Sequence, residues 1–180
     1  MLVTETTTAR MKRATATLII AAAVLAGSPA RASHITITGP PTQLHLAVGT
    51  LGPTIDTVTF NVPPGQQGSG TPVAGSQSIL VEMAVRRGGF IIIAFLQANS
   101  STPLTSGPNS IPMTEISWTS ANGVIPSGTF NGSASQTVLV LIAFAGTRRR
   151  EDTLTFSYAN TTAPPAGTYQ STVVYTATVL

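Results

Sequence analysis

Cysteine is absent from this chain of 180 residues. No disulfide can staple the fold, no thiolate can enter a metal site, and no lipidated cysteine can anchor the chain. Charge is nearly as scarce, with Asp, Glu, Lys and Arg supplying 8% of residues. Lysine occurs once, at Lys12, and histidine only at His34 and His45. A Ser-His-Asp triad needs a base within reach of an activated serine. His34 and His45 are both poorly placed for that, and no serine sits in a G-x-S-x-G elbow. Two histidines across a Pro40-Pro41 break do not make a metal site, and Asp56 and Asp152 are too isolated for a calcium loop. Glu82 and Glu115 are expected as unpaired charges on outer strand faces rather than as a glycosidase pair. The glycine-rich stretch 65–75 lacks the Gly-Lys-Ser/Thr ending of a phosphate loop. The chain is expected not to be an enzyme, and no cofactor is expected.

Residues 1–32 read as a secretory signal. Lys12 and Arg13 form a basic start, residues 18–26 (LIIAAAVLA) an apolar core, and Ala30-Arg31-Ala32 a small-residue cleavage site. Cleavage is expected between Ala32 and Ser33. The apolar run is too short for a spanning helix, which needs roughly 20 residues, so no stable membrane insertion is expected after cleavage. Met1 and Met11 are alternative starts. The leader also explains the formal net charge of +3. It holds Arg10, Lys12, Arg13 and Arg31 against Glu5. The remainder has Arg86, Arg87 and Arg148 to Arg150 against Asp56, Glu82, Glu115, Glu151 and Asp152, which is neutral. A neutral domain without lysine has no phosphate-neutralising footprint, so no nucleic-acid partner is expected. The expected location is the periplasm, the cell surface or the medium.

The rest of the chain is rich in Thr, Ser, Val and Ile, punctuated by Gly and Pro, with no helical stripe. Apolar residues recur with period two, the strand signal. Ile79, Val81, Met83 and Val85 alternate with Leu80, Glu82, Ala84 and Arg86. Val58, Phe60 and Val62 suggest another strand, Ile116 and Trp118 a short one, and Leu154, Phe156 and Tyr158 another. Residues 34–38 and 44–46 are short candidates. Residues 90–96 (FIIIAFL) and 136–145 (QTVLVLIAFA) are continuous apolar runs expected to be buried on both sides. Residues 78–98 are expected to form a hairpin around Arg87-Gly88-Gly89. A second hairpin is expected around 146–152, with Arg148 to Asp152 as its exposed charged tip. Trp118, Tyr158, Tyr169 and Tyr175 share phase with other apolar residues, which favours core packing over a sugar-stacking platform. The expected fold is all-β: one domain at 33–180, a two-sheet antiparallel immunoglobulin-like β-sandwich of eight or nine strands after an N-terminal signal helix. A closed barrel is the competing architecture.

The stretch Pro164-Pro165-Ala166-Gly167-Thr168-Tyr169 and the alternating strand after it resemble the last strand of chaperone–usher pilins. That family places a glycine fourteenth from the end, as Gly167 is here, and prefers an aromatic penultimate residue, where this chain has Val179. The cysteine-free, low-charge composition is similar to colonisation-factor pilins. The resemblance implies a pilus or fibre subunit that assembles by strand addition, with copies of itself or other fibre subunits and a periplasmic chaperone as partners. It casts residues 33–48 as the donor, with Ile35, Ile37, Leu44 and Leu46 as plugging residues. It casts Gly167, Tyr169, Val173, Tyr175 and Val179 as the terminal-strand assembly residues. Lys–Asn isopeptide pili are excluded by the absence of lysine after residue 32, and type IV pili by the cleavable leader and missing long helix. The alternative function is a stand-alone binding module for carbohydrate or protein.

Overall fold

Period-two alternation gives each strand one apolar face, and two sheets bury those faces against each other. The computed structural model describes residues 14–15, 34–39, 42–49, 56–87, 91–144 and 146–180; for 14–15, 34–39, 42–43 and 87 the backbone alone is described. Its strands are β1 (Ala14–Thr15), β2 (His34–Gly39), β3 (Thr42–Val48), β4 (Val73–Arg87), β5 (Ile92–Asn99), β6 (Leu104–Ser106), β7 (Asn109–Ile111), β8 (Ile116–Ser120), β9 (Gly128–Thr129), β10 (Gln136–Ala143), β11 (Gly146–Tyr158) and β12 (Val174–Val179). Sheet A has the order β1-β12-β5-β10 and sheet B the order β2-β3-β4-β11-β8-β9, with β6-β7 as a separate two-stranded ribbon. Every pairing is antiparallel. The chain is an all-β sandwich.

The core forms where the faces meet. Ile79, Val81, Met83 and Val85 of β4 are each 1% exposed, in the phase that the alternation predicts. Leu154, Phe156 and Tyr158 continue that face along β11, and Ile92, Ala94, Leu96 and Ala98 of β5 oppose it from sheet A. Tyr169, Val173, Tyr175 and Ala177 are buried in the alternating phase as well. Trp118 packs against Phe130 at 4.9 Å between centroids with the rings tilted by 46°, and Phe130 stacks nearly parallel to Phe156 at 6.2 Å. Gly75 has no side chain because a Cβ there would stand 2.5 Å from Val58 Cγ1 and 3.1 Å from the Phe156 carbonyl.

Six expectations are corrected. Residues 78–98 are not a hairpin. β4 pairs with β3 on one edge and β11 on the other, so no edge is left for β5, which pairs with β10 and β12 in the opposite sheet. Residues 136–158 are not a hairpin either, because both edges of β11 are taken by β4 and β8. Arg148 to Asp152 is therefore strand, not a tip: it lies in register with Val85 to Val81. The two apolar runs are buried on one side only. Leu141 is 2% exposed, but Val140, Ile142 and Phe144 are 49%, 51% and 59% exposed. Residues 57–62 are irregular rather than a strand, although Ser76 N–H donates to the Thr59 carbonyl at 2.9 Å and Val58 is fully buried. Among the described residues of 33–180, eleven strands replace the expected eight or nine because three of them are only two or three residues long.

The expected signal helix and the cleavage site at Ala32 and Ser33 lie outside the described residues. Ala14 and Thr15 are extended and pair with Ala177 and Thr176.

Candidate functional site

At one end of the sandwich the irregular segment 56–62, the β6–β7 ribbon and the loop after β11 line a half-open cavity of about 300 Å³. Phe60, Val62, Leu104, Ile111, Ile116, Tyr158 and Tyr169 form its apolar wall, and Asn61, Gln67 and the 164–168 loop its rim. No lining residue is charged. The Phe60 and Tyr158 rings are tilted by 53° with centroids 6.2 Å apart. Tyr169 O–H donates to the Pro165 carbonyl at 2.9 Å, which ties the rim loop to the wall.

Asn160 holds the other rim. It is 1% exposed and adopts φ +54°, the left-handed region that asparagine tolerates better than most residues. Its Nδ2 donates to the Gln66 carbonyl at 2.8 Å and Ser69 Oγ at 3.0 Å, and its Oδ1 accepts from Gly68 N–H at 3.1 Å. Gly70 N–H adds a bond to the Asn160 carbonyl at 2.9 Å. The loop 66–71 is thereby clamped across the end of the sandwich.

The Tyr158 hydroxyl is buried with no hydrogen bond of ordinary geometry. Burial pushes its pKa up; the nearby Thr162 hydroxyl opposes that shift, and the Glu115 carboxylate and Tyr169 add to it. Glu115 is not on an outer strand face. It ends a short 3-10 turn at Met113–Glu115, is 9% exposed, and accepts from Thr161 N–H at 3.0 Å and from the Thr161 hydroxyl.

The charged residues gather on the other sheet. Arg149 Nε meets Glu82 Oε1 at 2.7 Å, its Nη2 donates to Glu82 Oε2 at 2.9 Å, and Nη2 also reaches Glu151. Glu82 is thus paired, against expectation. His45 Nε2 stands 3.7 Å from Glu82 Oε1 on the same outer face. Asp152 points inward instead and is fully buried. Burial alone would raise its pKa, but the Ser120 hydroxyl and the backbone N–H groups of Ile125, Asn122 and Thr153 outweigh this and hold it well below the usual carboxylate range.

Sheet A carries no charged residue on any of its strands. Its edge strand β10 pairs with β5 alone among the described strands. Val140 lies opposite Phe95 and Ile142 opposite Ile93, so exposed apolar side chains of β10 continue onto half-buried ones of β5.

The residues cast as donor are placed in the chain's own sheet B. β2 pairs with β3, β3 pairs with β4, and Leu44 and Leu46 are 5% and 3% exposed. Ile35 and Ile37 lie on β2, opposite Leu46 and Leu44. Of the terminal-strand residues, Gly167 and Tyr169 line the cavity, Val173 and Tyr175 are core, and Val179 packs against the core from the end of β12. The cavity and the Asp152 and Asn160 clusters escaped sequence reasoning. Asp152 did carry a signal, since it falls in phase with Leu154, Phe156 and Tyr158. Among the described residues, no three His, Asp or Glu side chains gather as a metal site. Comparison of the chain with family models, with curated proteins and with solved structures found no match.

Proposed function

We propose that residues 33–180 are an exported, non-catalytic surface module that works by assembly, as a pilus or fibre subunit joined by strand addition. The observation that carries this reading is β10. It is an edge strand with exposed Val140 and Ile142, flanked by Phe144, in a sheet without a charged residue. Edge strands of monomers are commonly blunted by charge, proline or short length. This one spans eight residues and has only a register shift near its start, between Thr137 and Leu139. The second edge of sheet A adds support. β1 belongs to the segment read as a leader, and cleavage after Ala32 would remove it from β12, leaving the backbone of Thr176 and Ala177 open to another strand.

Residues 33–48 fit a donor role poorly in the folded chain, because releasing β3 would expose Leu44 and Leu46. Addition at β10 needs no such release. The partners in this reading are copies of the chain or other fibre subunits, with a chaperone covering the edge before assembly.

The test is the association state of the exported full chain. Concentration-dependent oligomers or fibres are expected in sedimentation and electron microscopy, and Val140→Lys with Ile142→Lys should abolish them at unchanged melting temperature. A wild-type chain that stays monomeric at all concentrations overturns the reading. The second reading, a stand-alone binding module, is favoured by the uncharged cavity beside Phe60 and Tyr169.

A further inference from the structure

We infer that the strand added at β10 is β10 of a second copy of this chain, running antiparallel to the first across a twofold axis beside Val140 and Ile142. This rests on the assembly reading above and names the partner and the geometry of that contact.

The direction of the backbone comes first. Leu180 N–H donates to the Ile93 carbonyl at 2.9 Å, and Val179 lies opposite Ala94, so the carbonyl of Ile93 faces β12. In an antiparallel ladder a residue sends its N–H and its carbonyl to the same side. Ile142 lies opposite Ile93, so its own N–H and carbonyl point away from β5, into the open edge. Val140, two residues earlier and opposite Phe95, has the same direction. The side chains of both are about half exposed on the outer face. β10 thus offers hydrogen bonds and apolar side chains at the same two residues. It has no proline, glycine or charge to turn an incoming strand away.

A second copy fits this edge because the edge matches itself. A twofold contact sets one surface against the same surface, so any charge near the axis meets its like. Sheet A has no charged residue on its strands. The regular part of β10, 139–143, is centred on Leu141. In a register centred there, Val140 of each copy lies beside Ile142 of the other, and such β-branched pairs suit neighbouring strands.

The other edge of sheet A is a poorer match. β10 and β12 both run antiparallel to β5, so they run parallel to each other. A copy added with its outer face on the same side therefore presents β12 parallel to β10, but β10 antiparallel to it. Every pairing among the described strands is antiparallel, and parallel pairing is slightly less stable per residue. Thr176 and Ala177 of β12 are also taken by Thr15 and Ala14. A twofold contact closes on itself, so β10 makes a dimer. Growth into a fibre then uses β12, opened when the leader is removed.

The test oxidises single-cysteine variants of the exported full chain, which has no cysteine of its own. Paired residues on neighbouring strands stand about 5.5 Å apart at Cα, within reach of a disulfide. Val140→Cys mixed with Ile142→Cys should give covalent dimers at least tenfold faster than Ile142→Cys mixed with Thr176→Cys. In the wild-type protein, amide exchange at Val140 and Ile142 should slow at least tenfold on association, with no change at Leu141, whose N–H faces β5. Cross-links confined to the Thr176→Cys mixture, or no slowing at Val140 and Ile142, overturn the twofold pairing, while oligomers in sedimentation keep the assembly reading. A wild-type chain that stays monomeric at all concentrations overturns both.

Discussion

The Asp152 carboxylate accepts the backbone N–H of Ile125 at 2.9 Å, tying the middle of β11 to the turn between β8 and β9. The same side chain accepts from Asn122 N–H at 3.0 Å, Val124 N–H at 2.8 Å, Thr153 N–H at 2.8 Å and the Ser120 hydroxyl. A turn that crosses the sheet end has N–H groups facing inward with no strand to receive them. One buried carboxylate satisfies several of them.

Replacing Asp152 with Ala should therefore be costly. Each buried donor left unsatisfied costs about 1–3 kcal/mol, so a loss of about 3–5 kcal/mol is expected after partial relaxation. Urea denaturation measures it. A loss below about 1 kcal/mol would mean that water replaces the carboxylate at no cost.

The same carboxylate sets an acid limit. Its pKa is lowered on folding, so its contribution is present in full above the unfolded value, near 3.9. That contribution is lost as pH falls below this value toward the lower folded one. Melting temperature should decline on acidification below about pH 4, and Asp152→Asn should show a shallower decline. Parallel pH profiles for the two proteins would refute the assignment.

Neighbours on β10 should behave oppositely. Leu141 is 2% exposed and Ile142 is 51% exposed. Leu141→Asp buries an unpaired charge and should cost several kcal/mol, whereas Ile142→Asp should shift stability by about 0.5 kcal/mol or less. Equal losses in thermal melts would show that something covers the outer face of sheet A.

Asn160→Ala should lose both the side-chain clamp and the tolerance of φ +54°. The expected cost is about 2–4 kcal/mol. Asn160→Gly relieves the backbone part and should cost less. Amide exchange in residues 66–71 should speed up in both variants. Unchanged exchange there would detach the loop from Asn160. The asparagine also heads an Asn-Thr-Thr sequon, and its burial leaves no room for a glycan in the folded chain.

Arg149 is the contrast to these buried groups. Its side chain is 58% exposed while it pairs with Glu82 and Glu151. Exposed pairs contribute about 0–1 kcal/mol. Arg149→Ala should thus move the melting temperature little, and less still at 1 M salt. A loss well above 1 kcal/mol would make this ladder part of the structural frame.

What the sequence by itself determined is face. Whether Ile79 or Leu80, Leu154 or Thr155, Tyr175 or Thr176 points inward follows from alternation, because neighbouring side chains on a strand leave on opposite sides. All-β character and the burial of Trp118 and Tyr175 were legible for the same local reason. Pairing was decided only in three dimensions. Two strands joined by a short link look like a hairpin until other strands occupy both edges of one of them, as β3 and β11 do to β4. The cavity beside Phe60 and Tyr169 and the bonds of Asp152 and Asn160 arise between segments up to 94 residues apart. No local pattern encodes such contacts, since they depend on which sheet each strand joins and where the loops between sheets must cross.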